Sequence, residues 1–184
     1  MFDEQGRAIG TIPLMQLFKN RYTGQRVDPM TFTERTVWCL KQAGWDETYR
    51  ANVDRYLQNS QEEGCQIPIP VVDFLQRFGN LNIVVPFIYH VDTTLDEVLA
   101  SKHYDHFHLN PNKAAGGEYC AAWSYIAEAF HVPMVYPIGE YQTRELLFMT
   151  PDAHLYGLID GHLHERSFNY GVGANALNQL CDPQ

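Results

Sequence analysis

Apolar side chains recur at helical spacing from about residue 31 onward. Residues 31–34 (Thr-Phe-Thr-Glu) are typical of a capping box, and the apolar run that follows them closes at Gly44. The same spacing predicts a second helix over residues 50–63 and a third over residues 70–79, each stopped by a glycine. The sequence therefore predicts three consecutive helices.

The pattern then changes to runs that are typical of strands. Residues 81–88 are rich in β-branched side chains, but Pro86 confines them to an edge or bent strand. We expect the charged connection that follows, which contains Asp92, Asp96 and Glu97, to be solvated.

A strand-to-helix corner is predicted in the middle of the chain. Residues 104–109 resemble a strand, and the residues after it repeat apolar side chains at helical spacing as far as Phe130. Between the two, Asn110 is positioned to cap a first turn with Pro111 in its first helical position. Glu118 follows a glycine pair near a helix start, where the macrodipole favours a carboxylate.

The last third of the chain predicts an antiparallel meander and a short terminal helix. Asp160-Gly161 is typical of a type I′ hairpin turn, and residues 150–153 of another turn. The predicted strands span residues 132–141, 146–149, 154–159 and 162–168, and the predicted helix spans residues 174–181. Helices followed by one strand, a helix and a meander define an α+β fold.

Composition and charge limit the classes of partner. A chain of 184 residues with 45% hydrophobic residues suits one folded domain, which we place at residues 30–184, after an extension of unassigned role at residues 1–29. The net charge is −9, which argues against nucleic acid and anionic membranes as partners. Residues 1–30 hold four basic and three acidic residues, so the acidic excess lies in the body, which should attract a basic partner.

The cysteines and the apolar runs predict a cytoplasmic protein. Cys39, Cys65, Cys120 and Cys181 are far apart in the sequence, so we expect buried free thiols in a reducing compartment. No apolar run is long enough to span a membrane, and acidic residues at positions 3 and 4 do not suit a signal peptide.

The histidines are the one candidate for catalytic chemistry. Two pairs, His106 with His108 and His162 with His164, would each project from one face of a strand, and His103 lies nearby. On neighbouring strands the pairs could ligate a metal ion. Histidines at polar edge positions are the simpler interpretation, and no nucleophile motif occurs in the sequence. We therefore expect no catalytic residue, no cofactor and no metal.

Several short motifs, in a fixed order, resemble the third subgroup of the SUKH superfamily of bacterial immunity proteins. They lie at residues 40–45 (Leu-Lys-Gln-Ala-Gly-Trp), 71–81 (from Val-Val-Asp-Phe-Leu to Phe-Gly-Asn-Leu), 107–111 (Phe-His-Leu-Asn-Pro), 114–118 (Ala-Ala-Gly-Gly-Glu), 123 (Trp), 136–140 (Tyr-Pro-Ile-Gly-Glu), 151–152 (Pro-Asp) and 156–157 (Tyr-Gly). The resemblance spans residues 31–181. Residues 1–29 have no place in this pattern, and residues 87–103 form a longer connection than is usual in it.

The resemblance implies a single SUKH-like domain, with a mainly antiparallel sheet packed against helices. It also implies a non-catalytic protein that binds and neutralises a cognate toxin of a polymorphic or contact-dependent system, often a nuclease. Two alternatives stay open: a cytoplasmic regulatory or scaffold domain of the same fold, and a histidine-ligated metal-dependent enzyme.

The motifs do not identify the toxin-binding surface, so the contact residues are predicted from residue type. Interface hot spots favour aromatic anchors, and acids at the rim of an interface speed association. On this basis we predict partner contacts at Trp45, Glu118, Asp152 and Asp160.

Overall fold

Three helices open the described part of the chain, as the sequence predicts. The computed structural model describes residues 32–114, 123–141, 145–159 and 167–182. Helix α1 spans Glu34–Gln42, α2 spans Asp54–Glu62 and α3 spans Ile69–Phe78, and each buries one face. Pro70 lies in the first turn of α3, where its missing N–H costs nothing, and Gly79 ends that helix.

Local side-chain hydrogen bonds shift two helix starts from their predicted positions. Thr33, rather than Thr31, caps α1, because its hydroxyl accepts a hydrogen bond of 3.2 Å from the backbone N–H of Thr36. Helix α2 begins at Asp54, four residues later than predicted, since the Asn52 side chain accepts the Asp54 backbone N–H at 2.8 Å.

A six-stranded antiparallel meander follows, and each strand in it pairs with its neighbours in chain order. The strands are β1 (Asn82–Pro86), β2 (Tyr104–His108), β3 (Tyr136–Tyr141), β4 (Glu145–Met149), β5 (His154–Ile159) and β6 (Ser167–Val172). The described sheet confirms the α+β class, and β1 lies at its edge, as predicted. The strand ends at Pro86, two residues before the end of the predicted run.

The short helices between and after the strands complete the described fold. They are α4 (Leu95–Ser101), α5 (Pro111–Ala114), α6 (Ser124–Ala129) and α7 (Ala176–Cys181), with a 3-10 turn at Gly173–Asn175 before α7. Helix α5 confirms the predicted first turn of the corner, because Asn110 accepts the Lys113 backbone N–H at 3.2 Å. The rest of the corner, residues 115–122, lies outside the described residues. Helix α4 lies within the charged connection and was not predicted.

Both faces of the sheet pack against helices. Side chains alternate along β4, so Phe148 points to one face while Leu147 and Met149 point to the other, and all three are fully buried. Helix α6 covers the Phe148 side through Ile126 and Ala127, while α1 contacts β1 and α7 contacts β6. Helix α6, the described part of the predicted central helix, therefore packs against the sheet.

The cysteines follow the prediction only in part. Cys39 on α1 and Cys181 on α7 are buried free thiols, and their mutual hydrogen bond and burial raise the pKa of Cys181. Cys65 instead forms a disulfide, so the prediction of four free thiols is wrong. The expectation of a reducing compartment rested on free cysteines, and the disulfide removes that support. Cys120 lies outside the described residues.

Candidate partner-binding surface

Trp45, the predicted aromatic anchor, is half-buried and packs mainly against the protein itself. Its ring stacks on Phe78 at a centroid distance of 6.0 Å and meets Phe32 edge-on at 5.8 Å. Its indole N–H donates to the backbone carbonyl of Arg77 at 3.1 Å. These contacts fix the ring on the surface of the core, and its part in partner binding stays a prediction.

Asp152 is exposed at the tip of the turn between β4 and β5. Its carboxylate accepts a hydrogen bond of 2.6 Å from the Thr150 hydroxyl and lies 3.8 Å from Nε2 of His154. The Thr150 hydroxyl also accepts the backbone N–H of His154 at 3.0 Å, and Ala153 takes a left-handed φ of 66°. The turn thus presents a fixed carboxylate to solvent. The other two predicted contacts, Glu118 and Asp160, lie outside the described residues.

The histidines of β2 form a face-sharing pair, as their spacing predicts. The rings of His106 and His108 are 5.4 Å apart and edge-on. Burial, followed by the charge of Lys113, lowers the pKa of His108, although the nearby Glu140 acts in the opposite direction. Lys113 and Glu140 form an ion pair beside this imidazole.

The described ranges do not assemble a metal site around this pair. No group of three or more histidine, cysteine, aspartate or glutamate side chains within them is arranged to hold a metal ion. The second predicted pair, His162 and His164, lies outside the described residues. Two imidazoles are fewer than the three protein ligands that a catalytic zinc site uses.

A buried carboxylate that the sequence did not indicate lies at the start of β4. The side chain of Glu145 is almost completely buried and accepts a hydrogen bond of 2.7 Å from the hydroxyl of Tyr170. Burial raises the pKa of Glu145 and, with this hydrogen bond, that of Tyr170. Gly157 leaves the room for the carboxylate, since a Cβ at that position would lie 1.6 Å from its Oε1 atom.

The raised pKa of Glu145 predicts a stability that falls with rising pH. Above its ordinary value of 4.5 the folded state holds a proton that the unfolded state has released, so the free energy of unfolding decreases until the folded pKa is passed. Glu145→Gln keeps the acceptor for Tyr170 and removes the ionisation. We expect the variant to melt a few degrees above the wild type at pH 8 and at the same temperature near pH 4. Thermal unfolding across this range measures the difference, and a wild-type advantage that grows with pH would contradict the assignment.

The connection between β1 and β2 is anchored on α1. The indole N–H of Trp38 donates to the backbone carbonyl of Thr93 at 3.0 Å, and the ring centroids of Trp38 and Tyr89 are 5.8 Å apart. At the base of the connection, the Phe87 backbone N–H donates to the carbonyl of His103 at 3.0 Å. These contacts hold the middle and the base of the connection in fixed positions.

A capping box fixes the helix within this connection. The Thr94 hydroxyl accepts the backbone N–H of Glu97 at 3.3 Å, and the Glu97 carboxylate accepts the backbone N–H of Thr94 at 3.0 Å. This Thr-x-x-Glu spacing is the signal in the sequence that could have predicted α4. Exposed apolar and acidic side chains are therefore presented on an ordered backbone.

An antiparallel sheet packed against helices, with exposed carboxylates and apolar side chains at its connections, defines this domain as α+β. The family model of the SUKH-3 immunity proteins matches residues 32–182. The chain therefore belongs to the SUKH-3 immunity protein family, which confirms the resemblance found in the sequence and indicates a toxin-neutralising function.

The other comparisons and the helix lengths add two facts. Comparison with curated proteins and with solved structures gave no match. Among the helices in the described ranges, none has the length and apolar character needed to cross a bilayer.

Proposed function

We propose that this protein binds and neutralises a cognate bacterial toxin without catalysing a reaction, and that the toxin is a basic protein such as a nuclease. The observation that carries this proposal is membership of the SUKH-3 immunity protein family over residues 32–182. The charge of the chain supports the basic partner, because 22 acidic residues oppose 13 basic ones.

The predicted contact residues fit this proposal unequally. Asp152 is a fixed and exposed carboxylate, which suits an acid at the rim of an interface that speeds association. Trp45 is tied to the core, so a partner would meet only the part of its ring that is left exposed. Glu118 and Asp160 are proposed as contacts only because they are acidic residues.

Growth rescue tests the proposed function. The toxin domain encoded beside this gene is expressed under an inducible promoter, with and without this protein in the same cells. We expect the toxin alone to stop growth and co-expression to restore it. A basic toxin domain from an unrelated system is the matched control and should not be neutralised, because recognition needs more than opposite charge. Growth arrest by the neighbouring toxin in the presence of well-folded protein would contradict the proposal.

A further inference from the structure

Exposed apolar side chains concentrate in the connection between β1 and β2. Seven large hydrophobic side chains are exposed in the described ranges, and four of them belong to residues 87–101. These are Phe87 (57% exposed), Ile88 (68%), Val91 (75%) and Leu99 (42%). A group of this kind on one ordered segment commonly marks an interaction surface, whereas single exposed apolar residues need no explanation.

The exposure of these side chains is a feature of an ordered backbone rather than of a loose chain end. The hydrogen bond from Trp38 to Thr93 fixes the middle of the connection, and the Thr94–Glu97 capping box fixes its helix. The backbone N–H of His90 also donates to the Thr93 hydroxyl at 2.7 Å. A surface held in this way loses little conformational entropy when a partner binds.

Most of the charges around these apolar residues are acidic. Residues 87–101 contain Asp92, Asp96 and Glu97, all exposed, and no lysine or arginine. Glu34 on α1 is exposed as well and, after burial, helps to raise the pKa of Tyr89, whereas Arg35 acts in the opposite direction. Arg35 is itself 3.6 Å from the carboxylate of Asp182, and Lys102 is an exposed cation directly after the segment. An apolar centre with a carboxylate rim complements a partner that carries an apolar patch among basic side chains.

We infer that residues 87–101, named here the β1–β2 surface, dock the cognate toxin, with Ile88 and Val91 at the centre of the interface and Asp92 at its rim. This inference rests on the proposed function and adds to it the surface that performs it. The connection between β1 and β2 then supplies the recognition of the toxin.

A pair of matched substitutions tests the centre of this surface. Ile88→Asp places a charge in the proposed interface, and Ile69→Asp places the same charge at an isoleucine that is 73% exposed on α3. The probe is a catalytically inactive form of the toxin domain encoded beside this gene, titrated by calorimetry. We expect Ile88→Asp to raise the Kd by a factor on the order of 30 or more, as loss of a hot spot does, and Ile69→Asp to leave it within about threefold. Unchanged circular dichroism and thermal midpoints would establish that both variants fold.

A charge reversal tests the rim. Asp92→Lys should slow association with the toxin domain and weaken its dependence on salt, while the dissociation rate changes little, because rim charges act mainly on encounter. Surface plasmon resonance at two ionic strengths separates the two rates. An unchanged association rate at low salt would overturn the assignment of Asp92 to the rim.

The outcomes separate this inference from the proposed function. If the wild type does not bind the toxin domain, both fail. If the wild type binds and Ile88→Asp binds equally well, the β1–β2 surface is not the docking site, while the proposed function stands. If the wild type is a dimer that Ile88→Asp dissociates without loss of toxin affinity, a second copy of the chain covers this surface, and the inference is overturned.

Discussion

Phe78→Ala is expected to lower the free energy of unfolding by about 3–5 kcal/mol, the largest effect that we predict for a single substitution in this protein. Phe78 is fully buried at the end of α3. The centroid of its ring lies 5.2 Å from the ring centroid of Phe74 and 6.0 Å from those of Phe32 and Trp45. Alanine removes the common contact of three aromatic rings and leaves a cavity that they fill only in part.

Equilibrium unfolding in urea measures this effect. Phe78→Leu is the matched control, because it keeps most of the apolar volume, and it should cost less than about 1.5 kcal/mol. Tryptophan fluorescence of the folded Phe78→Ala variant should also change, since Trp45 rests on this ring. A loss below about 1 kcal/mol would mean that Phe78 does not join α3 to the Trp45 region in the way described.

Gly139→Ala is expected to destabilise the protein by about 2–3 kcal/mol, near the upper end of the usual cost of overpacking. A Cβ at position 139 would lie 2.2 Å from the backbone carbonyl oxygen of His108 and 3.0 Å from the Cα of Leu109. These are backbone atoms, so no change of rotamer relieves the clash. Among the described residues, strands β2 and β3 pair at two positions, Phe107 with Tyr141 and His108 with Glu140, and the strands would have to separate there.

Gly64→Ala is the control for a general effect of replacing glycine. Gly64 has a φ of 75°, and no atom of the described residues other than its chain neighbours lies within 4 Å of the added Cβ. The variant therefore incurs only the left-handed backbone cost of about 1–2 kcal/mol. Hydrogen exchange should show faster exchange in β2 and β3 for Gly139→Ala and no such change for Gly64→Ala. Equal losses of stability without a difference in exchange would contradict the close approach of the two strands.

Much of this fold could be predicted because its determinants are local in sequence. Helix α3 lies between a proline and a glycine, and β5 was predicted with its observed bounds, His154–Ile159. Of the strand predicted over residues 162–168, residues 162–166 lie outside the described residues, and β6 is observed at Ser167–Val172, where its last residues pair with the start of β5. Glycine has a low strand propensity, so Gly171 makes a strand harder to predict from the sequence there. The strand forms because Gly171 pairs with Leu155 on β5.

The remaining misses depend on contacts that are distant in sequence. Nothing beside Cys65 in the chain indicates its disulfide, and Glu145 is buried because Gly157 and Tyr170 on other strands make room and a hydrogen bond for it. Helix α4 is a different case, because the capping-box spacing of Thr94 and Glu97 could have predicted it from the sequence. An acidic connection was expected to be solvated, and its carboxylates are, but its backbone is ordered.

The candidate surface was predicted less completely than the fold. Residue type led to Trp45 and Asp152, one of which packs on the core while the other is exposed at a turn. The β1–β2 surface was visible in the sequence only as a long connection. Its apolar residues could not be distinguished from core residues, because burial depends on the tertiary contacts of Trp38 and α1.

The most direct test of the immunity function is calorimetric titration of the purified wild-type protein with the inactive toxin domain encoded beside its gene. We predict a 1:1 complex with a Kd below about 1 μM that weakens as salt is raised. Absence of binding heat at two temperatures, with the protein folded and the toxin domain intact, would contradict the immunity function.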